Sequence, residues 1–205
     1  MPDVGAPGGQ HNAFFLQRKK DERLVINGME TEKGLPIRKE LRLPAYDYSD
    51  YGVYFITICC NGSKKYLGKL SPVFSCPEEK IFTPLFENTA IGKFVERTWH
   101  EIPNYYPYVI DDAFTLMPDH IHGILIWKDK SFSGVKDQRT LSQVIAAFKS
   151  ITTREYKKLY NRQDSLWQRN FYETVISDEK QYIETVRYIE ENQMMKIYKT
   201  INQMQ

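Results

Sequence analysis

Residues 117–127, which read MPDHIHGILIW, place two histidines one residue apart at the start of an apolar run. Pro118 and Asp119 are typical of a tight turn, and the rest of the run is apolar at both parities, as in a strand buried on both faces. Because side chains alternate along a strand, His120 and His122 point to one face and lie close enough to share an ion. The stretch therefore predicts a central strand with a histidine pair at its open end. One core histidine beside one exposed histidine is the simpler interpretation, and the sequence leaves it open.

Composition indicates an ordinary globular protein. The 205 residues are 41% hydrophobic and 14% aromatic, which is enough for a core and too apolar for global disorder. A net charge of +2 neither demands nor excludes a nucleic-acid partner. The three cysteines, two of them adjacent, fit neither a disulfide framework nor a zinc site. With no long apolar run and no signal-peptide pattern in the sequence, we expect a soluble cytoplasmic protein without a membrane partner.

The chain divides into an arm and one domain. Residues 1–40 alternate Gly/Pro-rich and charged stretches, so we expect a flexible N-terminal arm there. Residues 41–205 then form a single domain, whose first strand is the β-branched and aromatic segment 52–60. Turn residues across 61–84 indicate a hairpin or a similar excursion. The full pattern of strand, helix, strand, strand, helix, strand and helix predicts an α+β ferredoxin-like sandwich, with an antiparallel sheet, helices on its faces and an added C-terminal helix.

Capping residues mark the three main helices. Asn88 is expected to cap the first helix, and a capping box at Thr140 and Gln143 opens the second. Asp178 is expected to cap the last helix, which extends to about Tyr198. The helix boundaries follow from these residues together with apolar spacing.

The last helix carries a tyrosine outside its apolar stripe. That stripe is centred on Tyr182, Val186, Ile189 and Ile197. Tyr188 and Asn192 lie about a quarter-turn away, and their i to i+4 spacing makes the phenol and the amide neighbours on one face. A half-exposed aromatic at a helix edge is the ordinary explanation in a chain with 14 tyrosines. The potential ligand beside Tyr188, on a helix that must pack near the central strand, makes this tyrosine a catalytic candidate.

Together these features resemble the HUH single-strand transposases with one tyrosine, and most closely the REP-associated tyrosine transposases. The resemblance spans about residues 41–195. It rests on six motifs in order, namely RL at 42–43 with AYDY at 45–48, GVYFITI at 52–58, MPDHIHGI at 117–124, FKS at 148–150, WQRNFYE at 167–173, and RYI at 187–189 ending at Asn192.

The resemblance implies a metal-dependent single-stranded DNA endonuclease and strand transferase that acts at hairpin or repeat DNA. By this analogy His120, His122 and Asn192 are ligands of Mg²⁺ or Mn²⁺, and Tyr188 is the nucleophile that forms a 5′-phosphotyrosine. A hard divalent ion polarises a phosphate oxygen, which helps a weakly nucleophilic phenol to attack. The implied partner is single-stranded or hairpin DNA, met at the nucleoid, and the protein acts as a monomer or homodimer.

Further candidates could contact the DNA strand through charge or stacking. They are Lys149, Arg154 and Arg169, with Trp167 or Tyr172 as possible stacking surfaces. Trp167 is equally well explained as a core residue. The chain departs from the family pattern at two positions. Gln193 stands where family members often have proline, so the last helix can continue. Thr174 stands where they often have histidine. If that histidine assists the metal or the strand, its absence would make this copy slower or inactive.

Three alternatives remain on the sequence alone. The first is a catalytically inactive or domesticated DNA-hairpin-binding protein. The second is an RNA-binding ferredoxin-like domain, although the aromatic strand 52–60 lacks the expected RNP signature. The third is a zinc hydrolase with a His-x-His motif, although only His11 and His100 remain as further histidines. A Tyr188 ring in the core, or far from the histidine pair, would exclude nuclease chemistry.

Overall fold

The computed structural model describes residues 52–76, 81–128 and 138–203. The arm expected at 1–40 and the first motif of the resemblance, at 42–48, lie outside these residues. The described elements are β1 (Gly52–Cys59), β2 (Gly68–Cys76), β3 (Ile81–Asn88), α1 (Ala90–His100), the short α2 (Ile102–Tyr105), β4 (Val109–Leu116), β5 (His120–Trp127), α3 (Leu141–Tyr160), β6 (Tyr172–Ile176) and α4 (Glu179–Gln203).

Four strands form one antiparallel sheet in the order β4-β5-β1-β6. β5 takes a central position, as its apolar run requires, and every residue of β5 after His120 is buried. Together with the intervening helices α1 and α3, this order is the ferredoxin-like arrangement. β2 and β3 pair separately as a hairpin between β1 and α1. The predicted α+β fold is confirmed, including the excursion after the first strand.

The two faces of the sheet bury separate cores. One face packs against α1 and α3 in a large cluster that includes Tyr54, Ile56, Trp99, Leu125 and Phe148. The other face packs against α4 in a small cluster of Val53, Ile124, Ile126, Ile176 and Ile189. Alternation along β5 therefore puts His120 and His122 on the α4 side of the sheet.

Gly123 is required by the close approach of α1 to the central strand. A Cβ atom at Gly123 would lie 2.3 Å from the ring of Trp99. That ring is held in place by a hydrogen bond, because its indole N–H donates to the Asp111 carboxylate at 2.8 Å. The glycine after His122 thus lets β5 and α1 pack in contact directly behind the histidine pair.

Two of the predicted helix starts are found. Thr140 and Gln143 make both hydrogen bonds of the capping box at the start of α3. At the start of α4, the backbone N–H of Gln181 donates to the Asp178 carboxylate at 2.8 Å. Both caps are local pairs, so sequence spacing alone was enough to identify them.

Two predicted boundaries were wrong. Thr89, not Asn88, caps α1 by accepting a hydrogen bond from the backbone N–H of Gly92, because Asn88 is still part of β3. α4 extends beyond Tyr198 to Gln203, since no glycine or proline interrupts it. Among the described helices, none has both the length and the apolar composition needed to cross a bilayer.

Candidate functional site

His120 and His122 lie at the start of β5, and their imidazoles meet edge to face. Their Nε2 atoms are 3.1 Å apart and their ring centroids 4.7 Å apart. The preceding turn is held by two backbone hydrogen bonds, from Met117 N–H to the His120 carbonyl at 2.9 Å and from Cys60 N–H to the Asp119 carbonyl at 2.8 Å. The structure therefore brings the two predicted histidines together on one face, at the end of a buried strand.

The Nδ1 atom of each imidazole, which is not the nitrogen close to the other ring, has its own partner. Thr57 lies directly opposite His122 on β1, and its hydroxyl is 2.8 Å from His122 Nδ1. The Asp119 carboxylate is 2.7 Å from His120 Nδ1. With Nδ1–H donating outward in each ring, both Nε2 lone pairs point inward, which is the usual support for metal-binding histidines. Neither supporting residue was predicted from the sequence. The adjacency of Asp119 to His120 could have revealed the first, whereas Thr57 required the strand register.

His122 is the more buried of the pair, with 5% of its surface exposed. Burial, and then the neighbouring His120, lowers the pKa of His122 to about 3. Phe55 stacks on the His122 ring with centroids 5.5 Å apart. The neutral ring that results is the protonation state that binds metal ions.

Tyr188 of α4 lies at the mouth of this pair. Its hydroxyl is 3.4 Å from His122 Nε2, and the two ring centroids are 5.3 Å apart. Phe55 contacts the Tyr188 ring edge to face at 6.0 Å. Tyr188 is 49% exposed, so the ring is accessible to a ligand. The arrangement that would exclude nuclease chemistry, a buried or distant Tyr188, is not found.

Asn192 follows Tyr188 by one turn of α4 and is half-buried. In the described part of the chain, no hydrogen bond links the Asn192 amide to the histidines. Residues 52–76, 81–128 and 138–203 also contain no group of three His, Cys, Asp or Glu side chains suited to a metal ion. Among these described residues the histidine pair thus offers two nitrogen ligands, and a hard divalent ion held there would need further ligands from oxygen-bearing groups such as amides.

Gln193 makes a contact that the sequence did not predict. Its side-chain amide donates to the Leu116 carbonyl at 2.9 Å. Leu116 ends β4 and pairs with Ile121 of β5, between the two histidines. Gln193 thus ties the helix that carries Tyr188 to the strand next to the histidine pair.

Two of the candidate DNA contacts have structural roles. The ammonium of Lys149 donates to the backbone carbonyls of residues 168–170 at 2.7, 2.9 and 3.3 Å, and burial lowers its pKa. Trp167 is 1% exposed, and its indole N–H donates to the Thr152 hydroxyl at 2.7 Å. Lys149 therefore holds the loop before β6, and Trp167 belongs to the core. Of the two interpretations of Trp167, the stacking surface was therefore wrong, and the core residue is what the structure shows.

The other DNA-contact candidates are accessible. Tyr172 is 55% exposed and pairs with Thr57 at the start of β6, so it lies on the face of the histidine pair. Thr174 pairs with Phe55 on the same face and is exposed. Arg154 and Arg169 are exposed as well. Of these, Tyr172 and Thr174 line the side of the site opposite β5.

The family profile described as "Transposase IS200 like" matches residues 80–192, a segment that contains both histidines, Tyr188 and Asn192. The chain belongs to the IS200-like transposase family. An uncharacterized protein of Haemophilus influenzae is similar to this IS200-like transposase, with 31% identity over 79% of this chain and 91% of the relative. The family predicted from the motifs is thus confirmed.

Two solved structures also resemble this IS200-like transposase. The match with a REP-associated tyrosine transposase bound to a REP hairpin spans 71% of this chain and 68% of that protein's chain, at 17% identity and a TM-score of 0.47. The match with a crystal structure from Deinococcus radiodurans r1, described as a candidate transposase, spans 80% of this chain and 98% of that protein's chain. The identity is 15% and the TM-score 0.42.

Proposed function

We propose that this IS200-like transposase is a metal-dependent single-stranded DNA endonuclease and strand transferase, acting at hairpin or repeat DNA. One observation carries the proposal: the Tyr188 hydroxyl is 3.4 Å from His122 Nε2, which is 3.1 Å from His120 Nε2. Two imidazole nitrogens at that distance repel each other as acceptors unless a proton or a cation lies between them. An accessible phenol beside such a pair suits phosphoryl transfer.

The residues present fit a divalent ion of the Mg²⁺ or Mn²⁺ type. His120 and His122 would hold it through Nε2, and Asn192 is the third ligand that the family resemblance implies. When bound, such an ion polarises a phosphate oxygen and stabilises the charge that builds during displacement. Thr57 and Asp119 support this role, because they hold the ring nitrogens that point away from the site.

Tyr188 supplies the nucleophile in the proposed reaction. Its phenol oxygen forms a bond to phosphorus as the bond from phosphorus to the 3′ oxygen breaks. The phenol loses one proton and the departing 3′ oxygen gains one, so protons balance. The products are a 5′-phosphotyrosine and a free 3′-hydroxyl. Because the number of phosphate ester bonds is unchanged, a 3′-hydroxyl can reseal the strand without ATP.

A single substitution tests the proposal. The protein is incubated, with and without Mn²⁺, with oligonucleotides that cover the hairpins flanking its own gene. We expect a Mn²⁺-dependent protein–DNA adduct on a denaturing gel for the native protein, and none for Tyr188→Phe, which should bind the same DNA equally well. Tyr198→Phe, on the same helix and 55% exposed, is the matched control and should form the adduct. Adduct formation by Tyr188→Phe would contradict the assignment.

A catalytically inactive hairpin-binding protein is the second candidate, and Thr174 is the observation that favours it. Thr174 faces Phe55 beside the site, at the position where the resemblance leads us to expect histidine. An inactive binder would hold the hairpins in the native form yet give no adduct at any Mn²⁺ concentration. Restoration of the adduct by Thr174→His would then identify this position as the cause.

A further inference from the structure

A second surface of the protein combines aromatic rings with positive charge, away from the histidine pair. It is an open groove of about 410 Å³ at the end of α3. The lining residues are Lys65, Tyr66, Thr89, Tyr156, Tyr160 and Arg162. The volume is in the range of sites that hold a small ligand. We call this feature the tyrosine groove.

Three tyrosine rings form a continuous row in the tyrosine groove. The Tyr66 and Tyr156 centroids are 5.1 Å apart, and those of Tyr156 and Tyr160 are 5.6 Å apart. Tyr156 is 1% exposed, whereas Tyr160 is 44% exposed. The row is therefore anchored in the core at Tyr156 and offers a free ring at Tyr160, on which a flat apolar group can stack.

Three cationic side chains lie beside this row of rings. Arg162 Nε donates to the Tyr156 hydroxyl at 3.3 Å and lies 3.4 Å from the Asp164 carboxylate. Asp164 offsets part of the charge of Arg162, but Lys65 also lines the groove, and the Lys64 ammonium is 5.8 Å from the Tyr66 centroid. Stacking rings next to exposed cations are the combination with which proteins bind unpaired nucleotides.

The tyrosine groove is joined to the turn that carries the histidine pair. Leu67 N–H donates to the Pro118 carbonyl at 3.0 Å, and Thr89 N–H donates to the Leu67 carbonyl at 3.0 Å. Cys60 N–H donates to the Asp119 carbonyl, at the other end of the same loop. The loop that supplies one wall of the groove therefore packs against the residues that immediately precede His120.

We propose that the tyrosine groove binds an unpaired DNA nucleotide beside the hairpin being processed, with the base stacked on Tyr160 and its phosphate held by Arg162 and Lys65. The proposal rests on the proposed function, because it assigns part of the same DNA substrate to a second site. An unpaired nucleotide fits and a duplex does not, since bases within a duplex already stack on each other and do not expose their faces.

The test measures binding of two labelled hairpins by fluorescence anisotropy without metal. One hairpin has six-nucleotide tails of randomised sequence on both strands at its base, and the other is blunt. We expect Tyr160→Ala to weaken binding of the tailed hairpin about tenfold, within the effect of losing one base stack, and to leave the blunt hairpin unchanged. Tyr160→Phe keeps the ring and should bind like the native protein. Tyr105→Ala, a tyrosine 71% exposed on α2, is the control outside the groove.

Photocrosslinking of the native protein gives a second measurement that does not depend on any variant. Tails containing 5-iodouracil should crosslink to the peptide that carries Tyr160. Two results would overturn the proposed role of the tyrosine groove without changing the outcome of the adduct assay. One is crosslinking confined to other peptides, and the other is native affinity of both Tyr160→Ala and Arg162→Gln for the tailed hairpin. Failure of the native protein to bind either hairpin would overturn both the proposed function and the proposed role of the tyrosine groove.

Discussion

Thr57 shows how one hydroxyl in a sheet can prepare the chemistry of a facing residue. It lies across from His122 in the β1–β5 pair, and its Oγ1 is 2.8 Å from His122 Nδ1. This contact fixes the orientation of the ring and directs Nε2 toward His120. The neutral form of His122 that burial favours then has its Nε2 lone pair available without the loss of a proton.

Removal of the Thr57 hydroxyl should weaken metal binding without unfolding the protein. Thr57→Val keeps the shape of the side chain, so we expect Mn²⁺ affinity, measured by calorimetric titration, to fall about 10- to 100-fold, as for other partners of metal-binding histidines. Thr57→Ser retains the hydroxyl and should bind Mn²⁺ like the native protein. Equal Mn²⁺ affinity in Thr57→Val and Thr57→Ser would show that this contact does not orient a ligand.

Residues whose partners are close along the chain could be predicted from the sequence. The His120–His122 spacing is typical of a strand face, so local geometry was sufficient to predict that pair. The contact of Tyr188 with His122, by contrast, joins residues 66 positions apart. Thr57 is 65 residues from its partner His122, so only the register of β1 against β5 reveals the contact. A tryptophan such as Trp167 suits a core or a stacking surface equally, and no local pattern distinguishes the two.

At the scale of elements, α4 is held to the sheet by polar contacts on both sides of Tyr188. Before it, the Tyr182 hydroxyl donates to the Asp112 carboxylate at 2.7 Å. After it, Gln193 donates to the Leu116 carbonyl at 2.9 Å. Both acceptors belong to β4, so these two hydrogen bonds fix the position of the helix along the sheet and with it the distance from Tyr188 to the histidines.

Loss of the Gln193 contact should slow adduct formation while leaving hairpin binding unchanged. Gln193→Ala removes one neutral hydrogen bond, worth about 1 kcal/mol, so we expect a roughly fivefold slower single-turnover rate with Mn²⁺. Lys196→Ala, an exposed position of the same helix, is the control and should react at the native rate. If Gln193→Ala forms the adduct as fast as this control, the contact does not position Tyr188.

The contact between Tyr182 and Asp112 should make α4 docking sensitive to alkaline pH. Burial, and then the hydrogen bond to the Asp112 carboxylate, raises the pKa of Tyr182 above its ordinary value. A folded pKa above the unfolded one means that the contribution to stability is complete below about pH 10 and is lost as the pH rises further. Tyr182→Phe should therefore be less stable than the native protein at pH 8, by about 1 kcal/mol.

Urea unfolding at pH 8, 10 and 11 measures this difference directly. The gap in unfolding free energy between Tyr182→Phe and the native protein should shrink as the pH rises from 10 to 11. Other groups that titrate in this range are common to both proteins, so their effects largely cancel in the comparison. A gap that stays constant from pH 8 to pH 11 would mean that the Tyr182 hydroxyl does not stabilise the fold through this hydrogen bond.

For the whole molecule, the order of elements predicted the sheet, because a ferredoxin-like chain has few ways to pair its strands. The same pattern did not reveal how unequally the two faces are packed. The α1–α3 side buries large rings such as Trp99, Trp127 and Phe148, whereas the α4 side buries only small aliphatic residues in its cluster. That asymmetry depends on tertiary packing, which periodicity within one helix does not encode.

The small buried cluster between α4 and the sheet implies that this helix opens more easily than the sheet beneath it. Within the 25 residues of α4, only Ile189 and Ile197 are fully buried apolar residues, at 1% and 4% exposure. Ile183, Met195 and Tyr198 are each about half exposed. Segments with few buried contacts open locally before the rest of the fold. We therefore expect hydrogen exchange by mass spectrometry to find α4 amides exchanging faster than those of β1 and β5.

Ile189→Ala should further weaken the docking of α4 on the sheet. The loss of its buried side chain costs about 2–5 kcal/mol, and most of that loss falls on the docking of α4. We expect faster exchange in α4, unchanged exchange in β1 and β5, and a joint loss of adduct formation and Mn²⁺ affinity, because Tyr188 and Asn192 both move with the helix. Thr57→Val should weaken Mn²⁺ binding with α4 exchange unchanged. Joint loss of protection in α4 and β5 would instead mean that helix and sheet unfold as one cooperative unit, with no separate opening of the tyrosine helix.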